Sequence, residues 1–428
     1  MPFVYAVASL LLFAIAWPVL VLHPKLRGGV ARRLGRYPPD FLTGRAGPRV
    51  WLHGASAGDL LALLPIHREL KRLRPEVVTI VSTMTNSGEA IAKTRFADAD
   101  AMTFVPYDLP FSTHAAVRAI RPDVLVLEYT EVWPNLIRAV KKRGGRIVLT
   151  NGRFSERNVR SYRRLFRLIG NVLRQFDLLL MREDAERERA LTLGAPPKRV
   201  IVTGNTKFDA LLLSTAQSST EALARAFLLQ PGDLLWVAGS THEGEEAVLL
   251  DAFVELKRET PRLRLAIAPR YLERVQRVTA LAAQRGLEVS LRSSKAPTRA
   301  PVIVLDTIGE LVAAYRLASL VFVGGSFTDR GGQNIVEPAA CGKAVLFGPH
   351  MENFHDSVQV LVGRGGIQVK DGTHLVSVAR ELLSKPEQLV ELGKLARRAV
   401  SSVSGASLRD AKLIAKLLPK PRGSAKAA

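Results

Sequence analysis

Short β-rich runs alternate with longer amphipathic stretches from Arg49 onward, and this alternation constrains the fold more than any other feature. Turn residues follow each run, and a stretch with helical periodicity comes next, as in residues 60–73. Strands that are each followed by a helix form parallel sheets whose faces the helices cover. The runs that we predict to be buried strands are 77–82, 124–127, 146–150, 234–238, 263–268, 302–305 and 320–323.

The predicted strands fall into two sets, separated by residues 214–232. This segment opens with a polar run and closes on Pro231-Gly232, so we interpret it as a hinge. A chain of 428 residues is long enough for two domains with separate cores. We therefore predict an α/β fold of two doubly wound Rossmann-like domains that face a ligand cleft. The predicted domains are residues 25–213 and 214–418, with a last helix over 406–417 and a disordered tail at 419–428.

Residues 3–22 are uncharged and almost wholly apolar. About 20 such residues form a helix that is long enough to cross roughly 30 Å of hydrocarbon. We therefore predict an N-terminal membrane anchor within residues 1–24; a buried hydrophobic helix is the alternative. Because cationic residues mark the cytoplasmic side of an anchor, the rest of the chain is expected in the cytoplasm. The cationic residues that follow the apolar segment are Lys25, Arg27, Arg32, Arg33 and Arg36.

The charge balance points to an anionic partner, since 61 Lys and Arg residues against 39 Asp and Glu residues give a net charge of +22. A nucleic acid, an acidic membrane surface and a phosphorylated substrate all fit such an excess. The chain has no zinc finger, aromatic RNA-binding signature or recognition-helix pattern, which disfavours nucleic acid. We also expect no metal site, because Cys341 is the single cysteine and Asp98-Ala-Asp100 lacks a strong flanking strand.

The loop with the strongest functional pattern follows the predicted strand at 320–323. It reads GGSFTDRGGQNIVEP over 324–338, with a helix predicted to start near Asn334. Glycines let a backbone approach a ligand closely, and a helix amino end offers N–H groups to a phosphate. Glu337 can accept two hydrogen bonds from a ribose diol; the alternative is that it only complements the helix dipole.

Two further loops of the C-terminal half also follow predicted strands. In DTIGEL (306–311), Gly309 permits a bend and Glu310 can meet a base or ribose, unless the segment only caps a helix. Arg270 lies just beyond the strand at 263–268, where it suits bidentate phosphate contact. Taken alone, a surface arginine is the better interpretation of Arg270.

The N-terminal half contributes carboxylates and a lysine to loops at predicted strand ends. Asp59 follows the small-residue loop of WLHGASAGDL (51–60) and can take a proton from an acceptor hydroxyl. Spacing alone favours the alternative, an acid in the first turn of a helix. Glu128 and Glu131 lie close together after another strand, and Lys207 offers a cation.

Taken together, these strings resemble one family, the 3-deoxy-D-manno-octulosonic acid (Kdo) transferases of lipopolysaccharide assembly. The resemblance runs from the apolar segment to the last helix. The motifs on which it rests are STMTNSG (82–88), PYDLP (106–110), EVWPN (131–135), NGRFSE (151–156), GNTKFD (204–209), DTIGEL (306–311), GGSFTDRGGQNIVEP (324–338) and LFGPHMENF (346–354).

The resemblance implies a GT-B glycosyltransferase that uses CMP-Kdo without a metal or other cofactor. It also implies catalysis at the cytoplasmic face of the inner membrane, on a phosphorylated lipid A precursor (lipid IVA). By the same resemblance, the general base is Asp59, and Glu131 rather than Glu128 assists the transition state together with Lys207. The residues implied to hold CMP are Pro269, Arg270, Ile308, Gly309, Glu310, Asn334, Ile335, Val336 and Glu337.

The chain departs from the family pattern at two positions. Asp59 stands where the family usually has glutamate, and a displacement of about 1 Å in a catalytic group costs roughly a hundredfold in rate. Gln333 stands where the family usually has histidine, which removes a titratable ring. Two alternatives to Kdo transfer stay open. One is transfer of another nucleotide-activated sugar to a membrane acceptor, and the other is a catalytically weak relative that binds nucleotide or lipid.

Overall fold

The computed structural model describes residues 2–22, 29–216 and 220–420, and the chain forms two compact units. The first unit holds the described residues up to Ala210 together with the segment that begins at Ser404. The second unit holds Leu211–Val403. Each unit is built on a seven-stranded parallel sheet, and helices join most successive strands, which confirms the predicted pair of doubly wound domains.

In the first unit, the sheet order is reversed once, at its centre. The strands are β1 (Arg49–His53), β2 (Val78–Thr83), β3 (Ala101–Phe104), β4 (Val124–Glu128), β5 (Arg146–Gly152), β6 (Leu178–Met181) and β7 (Val200–Val202). Their order is β3-β2-β1-β4-β5-β6-β7, so the chain changes direction between β1 and β4. Helices cover both faces, which is why the central strands β1, β2 and β4 are buried almost throughout and consist mostly of apolar residues. The helices are α1 (Pro2–Leu22), α2 (Val30–Arg33), α3 (Ala57–Leu73), α4 (Asn86–Arg95), α5 (Pro110–Ile120), α6 (Pro134–Lys142), α7 (Glu156–Ile169), α8 (Asp184–Thr192) and α9 (Thr206–Ala216).

The second unit repeats this plan with a different outer order. Its strands are β8 (Leu234–Thr241), β9 (Leu263–Pro269), β10 (Val289–Leu291), β11 (Val302–Val304), β12 (Leu320–Val323), β13 (Val345–Phe347) and β14 (Gly366–Gln368). They lie in the order β10-β11-β9-β8-β12-β13-β14, and here the reversal falls between β8 and β12. The helices are α10 (Glu221–Ala226), α11 (Glu245–Glu259), α12 (Val275–Ala283), α13 (Leu311–Leu317), α14 (Val336–Ala340), α15 (His355–Leu361), α16 (Gly372–Ser384) and α17 (Pro386–Ser402).

The last helix, α18 (Ala406–Leu417), has the predicted bounds but belongs to the first unit. It packs on α3, and its buried Ile414 joins the same core as Leu63. Asp209 fixes the start of α18 by accepting hydrogen bonds from the backbone N–H groups of Gly405 (2.5 Å) and Ser407 (2.7 Å). The prediction that the C-terminal domain extends through residue 418 is therefore corrected, because the apolar face of α18 is buried against α3.

The segment 214–232, which we interpreted as a hinge region between the domains, is partly helical. It contains the end of α9 and the whole of α10, and the boundary between the units falls earlier, after Ala210. Helix α10 is held in the second unit because Leu223 and Phe227 are buried. Arg264 adds a hydrogen bond from its guanidinium to the carbonyl of Phe227.

The apolar N-terminal segment is helical, as α1, and it packs against the first unit. Tyr5 donates a hydrogen bond to Asp108 (2.9 Å), and the ring of Phe13 lies 4.9 Å from that of Tyr107. Within the described residues, no helix has both the length and the apolar character that crossing a membrane requires. The predicted anchor is therefore not supported. Lys25 and Arg27 of the predicted cationic flank, and residues 421–428 of the predicted tail, lie outside the described residues.

Candidate active site

The polar loops of the first unit gather where its sheet order reverses. Ligands of doubly wound sheets bind at the carboxyl ends of the strands, at this reversal. Strand β1 ends at His53, and the following loop leads to Asp59 in the first turn of α3. The neighbouring β4 ends at Glu128, and the loop after it carries Glu131.

Asp59 forms a capping box with Ser56 at the start of α3. Its Oδ2 accepts hydrogen bonds from the backbone N–H of Ser56 (2.8 Å) and from the Ser56 hydroxyl (2.9 Å). Asp59 is thus a helix-capping acid, as the alternative interpretation had it. The cap uses only one of the two carboxylate oxygens. No described residue donates a hydrogen bond to Oδ1, which leaves this oxygen able to accept a proton.

Glu131 is held by an indole on one side and faces an imidazole on the other. The Nε1 of Trp133 donates a hydrogen bond to Glu131 Oε2 (2.8 Å), and the Nε2 of His53 lies 3.7 Å from the same oxygen. His53 is fully buried, and its Nδ1 lies 3.0 Å from the hydroxyl of Ser82. The sequence did not single out His53, although it stands at the end of a strand beside the loop that was singled out.

Lys207 lies beside Tyr129, the residue that follows Glu128. Its Nζ is 5.0 Å from the centre of the Tyr129 ring, and Tyr129 has a positive φ of 55° directly after Glu128. Partial burial lowers the pKa of Lys207, and the charge of Arg182 lowers it further, while Asp59 and Glu128 oppose that change. The charges of Asp59 and Glu128 therefore act on Lys207 within the first unit.

Glu128 is fully buried and belongs to a hydrogen-bond network beneath the site. Its carboxyl accepts hydrogen bonds from Thr150 (2.5 Å) and from the amide of Asn151. Burial raises the pKa of Glu128 to about 8. Thr206, which precedes Lys207, donates from its backbone N–H to Asn151 (2.9 Å) and from its hydroxyl to the carbonyl of Ala62 in α3 (2.8 Å). Glu128 thus supports the site through this buried hydrogen-bond network.

In the second unit, Pro269 ends β9, and Arg270 follows it with an exposed side chain. The backbone N–H of Arg270 donates to the carbonyl of Thr241 (2.9 Å), which fixes it beside the end of β8. Its guanidinium lies 5.7 Å from the centre of the Tyr271 ring. An exposed guanidinium at a strand end is available to a phosphate, so phosphate binding by Arg270 stays a prediction.

The loop after β11 presents Ile308 and Gly309 to solvent. Ile308 is 86% exposed, and Gly309 has a φ of 91°, a conformation that favours glycine. Glu310 is already paired, since it accepts a hydrogen bond from the Arg292 guanidinium (2.8 Å) and another from the Thr307 hydroxyl. A base or ribose would have to share Glu310 with these two partners.

At the loop before α14, the amide of Asn334 links backbone and carboxylate. Its Oδ1 accepts from the backbone N–H of Val336 (3.0 Å), and its Nδ2 donates to Glu337 (3.2 Å). Burial raises the pKa of Glu337. Ile335 and Val336 are buried, so only their backbone groups could contact a nucleotide. Helix α14 begins at Val336, two residues later than predicted.

The Asp98-Ala-Asp100 string is structural. Asp98 accepts from His67 (2.9 Å), and Asp100 pairs with Lys71 (2.7 Å). A search of the described residues finds no group of three or more His, Cys, Asp or Glu side chains that could hold a metal ion.

Comparison with known proteins gives the family. Residues 28–210 match the model described as 3-deoxy-D-manno-octulosonic-acid transferase (kdotransferase). The chain is 33% identical over 370 residues to the 3-deoxy-D-manno-octulosonic acid transferase of Chlamydophila psittaci, which covers 86% of this chain and 84% of that relative. It is 30% identical over 394 residues to the enzyme of the same name from Haemophilus influenzae, which covers 91% of each.

A solved structure supports the fold alone. The UDP-GlcNAc 2-epimerase from Neisseria meningitidis, bound to UDP-GlcNAc, aligns with a TM-score of 0.60 at 14% identity. The alignment covers 86% of this chain and 99% of that one.

Two doubly wound sheets with polar loops at both points of strand reversal define a protein of the GT-B type. Within that class, the chain belongs to the 3-deoxy-D-manno-octulosonic acid transferases, the glycosyltransferases that transfer Kdo in lipopolysaccharide biosynthesis. The family suggested by the sequence motifs is confirmed.

Proposed function

We propose that this enzyme transfers Kdo from CMP-Kdo to a phosphorylated lipid A precursor, lipid IVA, with inversion at the anomeric carbon. Family membership supports the transferred sugar. The observation that carries the proposal is the position of Asp59 at the carboxyl end of the first sheet, with its Oδ2 held by Ser56 and its Oδ1 open.

The reaction is a single displacement. A hydroxyl oxygen of the acceptor attacks the anomeric carbon of Kdo, while its proton passes to Asp59 Oδ1. The bond between that carbon and the phosphate oxygen breaks, and CMP leaves with the electron pair. Attack opposite to the leaving group inverts the configuration. Lys207 and Glu131 assist the transition state, Lys207 as a cation near the developing negative charge.

The second unit supplies the proposed CMP site. Arg270, beside Pro269, pairs with the phosphate, and the loop Ile308-Gly309-Glu310 lies against the nucleoside. The segment from Asn334 through Ile335 and Val336 contributes backbone groups, and Glu337 accepts from the ribose hydroxyls. Since side-chain cations supply the compensating charge, we propose that no metal or other cofactor takes part. Activity should therefore persist in EDTA.

We propose that the enzyme acts at the cytoplasmic face of the inner membrane, where a lipid acceptor is accessible. Helix α1 lies beside α7 and exposes large apolar side chains, among them Leu12 (67%) and Ile15 (76%). Helix α7 adds exposed Leu168 (61%). Its exposed cations are Arg157, Arg160, Arg163, Arg164 and Arg167. An apolar surface beside clustered cations suits binding to an anionic lipid surface.

The decisive experiment is mass spectrometry of lipid IVA that has been incubated with CMP-Kdo and the purified enzyme. The expected product carries added Kdo, and the same assay with other CMP- and UDP-activated sugars should give no product. An unchanged acceptor with CMP-Kdo, but a product with another donor, would establish the alternative of a different sugar. CMP binding without turnover would establish a catalytically weak relative.

The role of Asp59 is tested with two variants. Asp59→Asn should lower kcat by about 100-fold to 10,000-fold, because a general base contributes that much, and should leave CMP affinity unchanged in calorimetry. Asp59→Glu restores the family residue and keeps a capping acid at this position, so it should retain turnover. Full turnover by Asp59→Asn would exclude Asp59 as the base.

A further inference from the structure

Two adjacent acidic residues, Glu245 and Glu246, are fully buried at the start of α11. Charged side chains are almost never fully buried unless they are paired. Glu246 meets that requirement through Arg274, whose Nε and NH2 both lie 3.0 Å from its carboxylate oxygens. Glu245 is held in a different way, by backbone N–H groups.

Four backbone N–H groups donate to the carboxylate of Glu245. Oε2 accepts from His242 (2.9 Å) and Gly325 (2.7 Å), and Oε1 accepts from Ser326 (2.9 Å) and Phe327 (2.9 Å). An ionised carboxylate is acceptor-only, which suits four donors. Successive N–H groups that converge in this way form a concave anion-binding site, and here the anion belongs to the protein itself.

This geometry changes the interpretation of the first glycine pair in the loop after β12. We expected these glycines to let the backbone approach a ligand. Instead, a Cβ on Gly324 would lie 2.6 Å from the Cα of Thr241, so the absence of a side chain serves packing against the end of β8. Gly325 has a φ of 67° and turns its N–H toward Glu245.

Glu245 thereby ties together the loops on both sides of the strand reversal, between β8 and β12. On one side, Glu245 holds His242, and the preceding residue Thr241, which ends β8, accepts a hydrogen bond from the backbone N–H of Arg270. On the other, Gly332 donates its N–H to the carbonyl of Gly325 (2.8 Å), which positions the segment that leads to Gln333 and Asn334. The loop after β12 thus leads to the proposed donor-binding residues from Asn334 to Glu337, and the end of β8 contacts the backbone of Arg270.

We propose that Glu245 is a positioning residue for the sugar nucleotide: it does not touch the donor but fixes the loops after β8 and β12, on which Arg270 and the segment from Asn334 to Glu337 depend for their positions. This inference rests on the proposed donor site in the second unit. In Glu245→Gln, an amide N–H₂ must face two backbone N–H donors, so at least part of the tie is lost. The loops then sample conformations that do not bind, and donor affinity falls in proportion to the binding-competent fraction.

The test measures CMP affinity by calorimetry, and kcat and KM with each substrate varied, for the full-length chain. Glu245→Gln should weaken CMP binding and raise the donor KM by about tenfold or more, while the acceptor KM stays within about twofold. Glu243→Gln is the matched control, because it makes the same charge change in a side chain that is 82% exposed and whose ion pair with Arg274, at 3.6 Å, is longer than the contacts of Arg274 with Glu246. That control should match the wild type.

A second variant keeps the test decisive if Glu245→Gln does not fold. Gly325→Ala leaves Glu245 in place but strains the same loop, because a side chain at a φ of 67° is disfavoured. It should show the same selective loss of donor binding. Unchanged CMP affinity and donor KM in the folded variants would overturn the inference. Wild-type enzyme that binds no CMP would instead overturn the proposed donor site.

Discussion

Two carboxyl groups at the same end of the first sheet have different surroundings and therefore different roles. Asp59 is partly exposed, with one oxygen in a helix cap and the other open. Glu128 is fully buried, and burial raises its pKa to about 8. Solvent access thus favours Asp59 as the group that exchanges a proton with substrate, and it assigns Glu128 to the support of the site.

The raised pKa of Glu128 predicts a decline in stability as pH increases. Unfolded Glu128 loses its proton near its ordinary pKa of 4.5, whereas the folded protein keeps it until about pH 8. Between these values the folded state binds more protons, so the free energy of unfolding falls by up to about 1.4 kcal/mol per pH unit. Buried Asp410, whose pKa burial raises to about 7, acts in the same direction.

Glu128→Gln should remove the contribution of Glu128 to this decline. The amide cannot ionise, and the Thr150 hydroxyl can turn toward the carbonyl of Leu127, 3.4 Å away, instead of donating to residue 128. Denaturant unfolding of wild type and variant from pH 6 to about pH 9 measures the slope. We expect a shallower slope in the variant. Equal slopes would show that Glu128 is already ionised at neutral pH.

At the scale of elements, the start of α3 links stability to catalysis. Ser56 caps this helix and also holds Asp59 through two hydrogen bonds. Ser56→Ala should cost about 1 kcal/mol of stability, the usual value of an N-cap, and should lower kcat because Asp59 loses a partner. Ser56→Thr keeps the hydroxyl and should retain both properties. A stability loss with unchanged kcat would separate the cap from the reaction.

Helix α18 should control the stability of the first unit, although it is the last element of the chain. Ile414 is fully buried in the core that α18 shares with α3. Ile414→Ala should cost about 2–5 kcal/mol, as truncations in a packed core do. In the Ile414→Ala variant, hydrogen exchange should become faster in β1–β7 than in β8–β14. Lys412→Ala, at an exposed position of the same helix, should leave both stability and exchange unchanged. Equal destabilisation of both sheets would contradict the assignment of α18 to the first unit.

These elements also show how far the sequence could predict the structure. Strand β12 was predicted at residues 320–323 because a short, continuously apolar run between turn residues is typical of a buried strand. The bounds of α18 followed from its amphipathic pattern, but its partner did not, since periodicity shows which face is apolar and not what covers it. For the same reason, the tie from Glu245 to a loop about 80 residues away has no local signal.

The candidate site was predictable to the extent that it lies at strand ends. Asp59, Glu131, Arg270 and Glu337 were predicted as site residues because polar residues after buried strands gather at the carboxyl edge of their parallel sheet, and their roles stay predictions. Contacts within the protein could not be predicted, such as the pairing of Glu310 with Arg292 (2.8 Å). His53 was not singled out, because nothing in the local sequence shows that the last residue of this strand faces Glu131.

At the scale of the whole molecule, the net charge of +22 is paired with an exposed apolar surface on α1 and α7. Cations attract the protein to anionic headgroups over about 8 Å at physiological salt, and apolar side chains hold it once it arrives. We therefore expect binding to vesicles rich in phosphatidylglycerol, weaker binding to phosphatidylcholine vesicles, and a loss of binding as salt rises. Cosedimentation of the full-length enzyme measures all three.

Two pairs of charge reversals distinguish a defined binding surface from the effect of net charge. Arg160→Glu with Arg164→Glu changes α7, whereas Arg397→Glu with Arg398→Glu makes the same change at exposed positions of α17. The α7 pair should abolish binding to anionic vesicles and reduce turnover of lipid acceptor presented in them, while CMP affinity stays unchanged. The α17 pair should bind nearly as well as the wild type. Equal losses in both pairs would mean that total charge, and not the surface of α1 and α7, brings the enzyme to its lipid substrate.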